Sequence, residues 1–133
     1  MKSSKLKGME AEKNVQKTLW RFNYKVRSIP CGDYDLIVDE KFRVEVKCGK
    51  LTESGSWKFH FGSKTPVDGL SDIHAMVFSY PDDTYKIAYI KTCDLAKIMK
   101  ENGSKWNVTI KRINDTGLEK SPYKVFGYPQ VTV

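Results

Sequence analysis

The chain has 133 residues, with 23 Lys and Arg against 16 Asp and Glu for a formal net charge of +7; 40% of it is hydrophobic and 29% charged. That length suits one domain spanning 1–133 and that apolar content argues against disorder, while the longest apolar stretches, Leu36-Ile37-Val38 and Ala75-Met76-Val77-Phe78, fall far short of the ~20 residues of a membrane-spanning helix. The basic start Met1-Lys-Ser-Ser-Lys-Leu-Lys-Gly8 has no apolar segment behind it and so does not resemble a secretory signal; a soluble, cytoplasmic domain is expected.

In the first thirty residues eight bases face two acids, so nearly all of the net charge is concentrated there. A basic surface of this kind attracts polyanions such as nucleic acid or an anionic membrane surface. The positions Ala11, Val15, Leu19 and Phe22 recur at helical spacing and predict a helix over about 4–22 that docks by this stripe. Glu10, Lys13, Asn14, Lys17 and Arg21 then fall on its outer face. Glu12 lies three and seven residues before Val15 and Leu19, at the edge of the buried stripe.

After the helix the pattern changes to period two. Tyr24–Ile29 reads as a strand closed by Pro30 and Gly32, and Asp33–Val38 and Phe42–Cys48 read as two antiparallel strands joined by a turn at Asp39-Glu40-Lys41. Trp57–Phe61 alternates large apolar with polar residues, and Gly62–Asp72 reads as a loop. His74–Tyr80 and Tyr85–Lys91 make another strand pair, Thr92 caps a helix over 94–101, and Trp106–Ile113 reads as a further strand. The apolar tail Tyr123–Val133 is expected to complete the sheet or to pack on another subunit. This order of elements predicts an α/β domain with a mixed β-sheet flanked by helices.

Three widely spaced cysteines (Cys31, Cys48, Cys93) and two histidines (His60, His74) make a four-ligand zinc site improbable, and the cysteines read as small buried thiols. The chemistry is expected in the hairpin 33–47. With a three-residue turn, Val38 opposes Phe42 and Leu36 opposes Val44, which joins the apolar faces. The same parity sets Asp35 opposite Glu45 and Asp33 opposite Lys47, whereas a two-residue turn would mix the faces. Cross-strand partners have Cβ atoms roughly 4.5–5.5 Å apart, so Asp35 and Glu45 would repel unless a cation lies between them. Carboxylate-only ligation suits Mg²⁺, with Mn²⁺ as substitute, better than zinc. The structural alternative is an exposed charged face with Lys47 and Arg43 as counter-charges.

The triplet Glu45-Val46-Lys47 says little alone, because about three of the 16 acids should have a Lys or Arg two positions later by composition. Asp39-Glu40-Lys41 is such a decoy in a turn, and Pro81-Asp82 is another at a hairpin tip. Context distinguishes Glu45-x-Lys47: a strand with one buried face, a facing Asp35, and an upstream helix with an acid at its buried edge.

In that context the chain resembles the PD-(D/E)xK nuclease superfamily, through Gly32-Asp-Tyr-Asp35-Leu-Ile-Val and Val44-Glu45-Val-Lys47. The opening Lys7-Gly8-Met-Glu-Ala-Glu12 is similar to the helix motif of archaeal Holliday-junction resolvases and of group I intron-associated endonucleases. The intron-associated type matches better, through Trp57–Phe61, 71–78 and 85–90; the likeness spans about residues 5–95, and Pro30 is displaced from the motif position. The resemblance implies a restriction-endonuclease-like core and a Mg²⁺-dependent DNA endonuclease, site-specific or acting on branched DNA as a Holliday-junction resolvase, working as a homodimer and without a small-molecule cofactor. It implies metal binding by Asp35 and Glu45, with the Val46 carbonyl and with Glu12 completing the metal site from the helix, and Lys47 as the residue that orients or helps deprotonate the attacking water and stabilises the charged transition state; Glu12, Asp35, Glu45 and Lys47 would be the catalytic set. Lys5, Lys7, Lys50 and Lys64 are weaker candidates for phosphate contacts. His60 is a surface histidine sharing a face with Lys58. A nucleic-acid-binding module without catalysis and a metal-independent interaction protein with a basic surface are the remaining alternatives.

Overall fold

The computed structural model describes residues 4–29, 34–61, 70–102, 107–113 and 117–129. Helix α1 (Ser4–Arg21) is followed by strands β1 (Val26–Ser28), β2 (Leu36–Val38), β3 (Phe42–Leu51), β4 (Trp57–His60), β5 (Ile73–Ser79) and β6 (Tyr85–Lys91). Helix α2 (Thr92–Asn102), strand β7 (Asn107–Ile110) and a short α3 (Tyr123–Phe126) complete the chain. The predicted helices and strand pairs form, with shifted ends: the first strand keeps only three residues and β2 starts at Leu36, whereas β3 runs on to Leu51, α2 spans Thr92–Asn102, and β6 keeps its expected bounds. Trp106 and most of the loop 62–72 lie outside the described residues.

The result is an α/β fold with a seven-stranded mixed sheet. Its centre is β3, whose length lets it serve several neighbours. Its first residues pair antiparallel with β2, its middle runs parallel to β5 from Val44↔Ile73 to Gly49↔Phe78, and its end turns back on β4 at Lys50↔Lys58 and Leu51↔Trp57. Outside these, β1 pairs β2, β6 pairs β5 and β7 pairs β4, all antiparallel. Strand alternation sorts the residues into two cores. Val44, Val46, Cys48, Ala75 and Val77 meet Ala11, Val15 and Leu19 of α1 on one face. Met76 and Phe78 meet Phe59, Leu95, Met99 and Val108 on the other, under α2.

The turn 39–41 fixes the register that the face pattern requires. Asp39 and Glu40 both take positive φ (53° and 51°), and Lys41 N–H donates to Val38 O at 3.0 Å. Asp39 is held by the Lys25 backbone, whose N–H donates to its Oδ1 at 2.8 Å, and Glu40 pairs with Arg27. Both acids of this decoy triplet thus have structural partners.

Several expectations change. Glu10 and Asn14 are half-buried rather than on the open face of α1. Helix α2 begins at Thr92 itself, whose hydroxyl is hydrogen-bonded to His74 Nδ1 at 2.9 Å. Cys48 is half-buried and Cys93 exposed, both as free thiols, so neither is the buried thiol expected; Cys31 lies outside the described residues. In the described part of the tail, up to residue 129, no strand is added and the chain packs on the core. Tyr123–Phe126 forms α3, and Phe126 is buried among Tyr24, Phe42 and Tyr89 at ring distances of 5.3–5.5 Å. Aromatic rings at that spacing seal the end of the core next to α1 without needing ladder hydrogen bonds. Among the described residues, no helix is long and apolar enough to cross a membrane.

Gly49 is a close-approach position. A Cβ there would meet the Phe59 ring at 2.5 Å. That ring is fully buried and packed edge-on against Phe78 at 5.1 Å, so it has no room to withdraw. Gly49→Ala should therefore lower unfolding stability by about 1–3 kcal/mol in urea or guanidinium titration. Adding Phe59→Leu should recover part of that loss, and a strictly additive double variant would refute the clash.

Candidate active site

The β2–β3 ladder is regular from Val38↔Phe42 to Leu36↔Val44 and then stops, one step before the expected Asp35↔Glu45 pair. At Asp35 the chain bends, its N–H donating to Val44 O at 2.9 Å, one residue off that register. The Asp35 carboxylate turns back to β3 and accepts the Val46 N–H at 2.8 Å through Oδ2. Asp35 therefore takes the place of a strand neighbour for Val46 with its side chain. In a strand the N–H and C=O of one residue point to the same edge, so the Val46 carbonyl is directed to the edge that carries Asp35.

Asp35 also links the other two acids. Glu45 is pushed up to about 7, first by burial, then by the charge of Asp35 and a side-chain hydrogen bond with it, against a lowering from Lys47. Glu12 is likewise raised to about 7 by burial, by the Asp35 charge and by a hydrogen bond to the Asp35 side chain. Glu12 comes from α1 on one face of the sheet, Glu45 projects from the opposite face of β3, and Asp35 sits at the strand end between them. The bend at Asp35 lets acids from both sides of the sheet meet at its edge.

Lys47 Nζ lies 3.7 Å from Glu45 Oε1 and 5.6 Å from the centre of the Phe61 ring. The sequence parity set it opposite Asp33, which lies outside the described residues; the described ion pair is with Glu45, its neighbour on the same face of β3. Arg43, the other expected counter-charge, is committed elsewhere: its guanidinium pairs with Asp72 at 3.1 Å and its N–H donates to Asp72 Oδ2 at 2.9 Å. Among the described residues, Lys47 is thus left as the nearby cation to balance three carboxyl groups.

Among the described residues, no group of three or more His, Cys, Asp or Glu side chains is arranged as a metal cage. The donor set is smaller: Asp35 and Glu45, with the Val46 carbonyl on the same edge and Glu12 reaching Asp35 from the helix. This fits a hard divalent ion such as Mg²⁺, which is usually held by one or two carboxylates and completes its octahedron with water and substrate phosphate. It does not fit a structural zinc centre, which requires four protein ligands.

His74 was not singled out by sequence. It pairs with Glu45 in the β3–β5 ladder, is buried against Phe61 at 5.9 Å, and has its pKa lowered to about 3 by burial and by Lys47. A neutral imidazole beside Glu45 and Lys47 shapes the wall of the site without adding charge. Its signal, one polar residue inside the apolar run 73–78, was visible, but its neighbours depended on a parallel pairing that local pattern does not reveal.

The basic candidates separate. Lys7 and Lys50, with Lys58 and the exposed His60, line a cleft of ≈ 700 Å³ beside α1. Lys5 lies on α1 with its side chain outside the described residues, and Lys64 lies outside them altogether.

The carboxyl shifts make stability depend on pH in a defined direction. A carboxyl whose folded pKa is raised binds its proton more tightly in the folded state, so stability is lost as pH rises from about 4.5 to about 7. Protein in EDTA should therefore melt several degrees lower at pH 8 than at pH 5. Mg²⁺ or Mn²⁺ should restore Tm at pH 8 more than at pH 5, where protons compete for the same oxygens. Asp35→Asn should reduce the dependence without abolishing it, because burial is the larger cause. Scanning calorimetry at the two pH values, with and without metal, checks this, and a parent Tm insensitive to metal at pH 8 would contradict it.

No protein-family model and no curated protein matches the chain. Among solved structures it is similar to a bacterial homing endonuclease, I-Ssp6803I, with a TM-score of 0.58 and 19% sequence identity, over 96% of this chain and 87% of that one. At that identity the likeness shows the architecture: the chain has an α/β, endonuclease-like fold.

Proposed function

We propose that the chain is a divalent-metal-dependent DNA endonuclease of the PD-(D/E)xK type. The observation that carries this reading is the meeting of Glu12, Asp35 and Glu45 where the β2–β3 pairing ends, with Lys47 beside them, in a fold shared with a homing endonuclease. Phosphodiester hydrolysis needs a nucleophile generated near neutral pH and neutralisation of charge at the scissile phosphate. Asp35, Glu45 and the Val46 carbonyl would hold the Mg²⁺ or Mn²⁺ ion, which when bound supplies a Lewis acid and lowers the pKa of its water. Lys47 places an ammonium next to Glu45, where it orients the attacking water and stabilises the negative charge that develops on the phosphoryl oxygens. Glu12, bonded to Asp35, keeps that carboxylate directed to the strand edge. His74 and Phe61 wall off the protein side, so the Lys47 charge acts in a less polar setting than water and is correspondingly stronger.

A single site cuts a single strand, so severing a duplex requires two copies, and a homodimer with two-fold symmetry is the simplest arrangement. The homing-endonuclease likeness favours site-specific cleavage of duplex DNA over Holliday-junction resolution. The test is a cleavage assay on supercoiled plasmid, linear duplex, single strand, RNA and a four-way junction with Mg²⁺, Mn²⁺ or EDTA. Metal-dependent nicking or linearisation of DNA supports the proposal. Binding of DNA with no cleavage of any substrate by either metal would reduce the chain to a binding module.

A further inference from the structure

The cleft of ≈ 700 Å³ beside α1 is physically separate from the carboxylates. On a helix turning about 100° per residue, Lys7, Glu10 and Asn14 lie on one flank of the buried stripe Ala11-Val15-Leu19, and Glu12 lies on the other. The sheet separates them as well. Cys48, Lys50, Val77 and Ser79 project to the α1 face, whereas Glu45 and Lys47 project to the opposite one. The far wall is the β5–β6 turn, from Tyr80 to Tyr85, and the floor is the pairing of β3 with β4.

That floor contains an unfavourable feature. Lys50 and Lys58 are direct cross-strand partners in an antiparallel ladder, so two ammonium groups are set on neighbouring positions of one face. Like charges directly opposite each other destabilise a sheet. Among the described residues neither makes a salt bridge, in contrast to Lys47, Lys97 and Lys124, each of which has a carboxylate partner. The lining acids Glu10 and Asp83 are both engaged in interactions of their own. Lys7 adds a third cation from α1, and the exposed His60 lies beyond Lys58 on the same face of β4. Tyr85, about one-third exposed, offers an aromatic edge at the opposite wall.

A like-charged pair is stabilised by an anion that neutralises both members at once, and a row of cations along a groove tracks a polyanion. The geometry points to this cleft as a second nucleic-acid contact: a track for the phosphodiester backbone of a DNA strand, with one phosphate between Lys50 and Lys58 and a further one at Lys7. It is separate from the carboxylate edge and adds affinity without reading sequence, since contacts to phosphate carry no base information. It shares with the proposed function the class of ligand and none of the residues at the cutting edge.

The test measures binding in EDTA, where no metal-dependent cutting occurs, by fluorescence anisotropy of a short labelled duplex and of its single strand. Salt is varied from about 50 to about 200 mM. For the Lys50→Ala/Lys58→Ala variant, affinity for duplex should fall on the order of tenfold and the log–log salt slope should become shallower by about one unit for each lysine. Lys7→Ala should remove about one unit more. The double variant should melt at or above the parent temperature, because the cross-strand repulsion is gone; loss of binding therefore does not reflect misfolding. Lys97→Ala/Lys124→Ala, with the same change in net charge on other surfaces, should leave the slope near that of the parent.

An unchanged slope in the Lys50/Lys58 variant, or an equal loss in the Lys97/Lys124 variant, overturns the track. So does sedimentation showing that the Lys50/Lys58 change dissociates a self-associated form, which would make the cleft an interface between copies of the chain. Binding of the parent to anionic vesicles but not to DNA overturns it too. The two readings fail separately: cleavage with an unaffected salt slope sinks the track alone, and a lysine-dependent slope without any metal-dependent cleavage sinks the endonuclease alone.

Discussion

Asp35→Asn should abolish DNA cleavage, with a fall in kcat of about 10³-fold or more, while DNA affinity in EDTA stays within a few-fold of the parent. The effect is expected to be large because Asp35 is the one acid that touches both others. Its carboxylate sets the charge felt by Glu12 and by Glu45 and accepts the Val46 N–H at 2.8 Å. The substitution is close to isosteric, and the amide oxygen can still accept that hydrogen bond, so the strand end should keep its shape. The change removes one negative charge and one hard oxygen ligand, and a 10³-fold loss corresponds to about 4 kcal/mol of transition-state stabilisation. Plasmid nicking under single-turnover conditions, with binding measured in parallel, checks the split. A variant that cuts within tenfold of the parent would remove Asp35 from the site, and with it the proposal that acids from both sheet faces act together.

Replacing Lys47 by Met is expected to have the next largest effect, a loss of about 10²–10³-fold in kcat, the range seen when one preorganised donor to a developing charge is removed. Met keeps an unbranched apolar chain against Phe61, which lies 5.6 Å from the lysine nitrogen, so packing changes little. The ammonium 3.7 Å from Glu45 disappears, and it was the one influence lowering the Glu45 pKa. Two consequences separate a chemical role from a structural one. The pH–rate profile of the residual activity should move to higher pH, because Glu45 has lost its counter-charge. Thermal stabilisation by Mn²⁺ should be retained or increased, because the site has become more negative. Full activity in the Met variant, or an unmoved profile with metal stabilisation lost, would assign Lys47 to packing alone.

The local pattern carried the hairpin a long way. Period-two alternation in Phe42–Cys48, set against the apolar run Leu36–Val38, allowed one register that kept both faces unmixed, and Val38↔Phe42 and Leu36↔Val44 are the pairs observed. A slip of one residue would have exposed Val44 and buried Glu45, so burial left little choice. The α1 stripe was legible for the same reason: Ala11, Val15 and Leu19 are buried, and Glu12 lies at the edge of the stripe. Parity alone, however, extended the ladder one step too far. It placed Asp35 as an ordinary partner of Glu45, whereas the chain bends there and the carboxylate replaces a strand. A side chain that satisfies a backbone N–H across the ladder leaves no trace in hydrophobic periodicity.

Local periodicity was enough to say which residues face inward on each element and, through that, the register of the central hairpin, because apolar burial at fixed spacing is a local property of the chain. Long-range packing set what no local pattern contains: that β3 runs parallel to β5 and brings His74 beside Glu45, that Arg43 is taken up by Asp72, and that residues 123–126 close the core as a short helix. It also decided that Lys50 and Lys58 face each other across the β3–β4 pairing. These depend on contacts between segments distant in the chain, whose energies compete only once the sheet has assembled, and they turn a set of charged side chains into one acidic edge and one basic cleft on opposite flanks of a single helix.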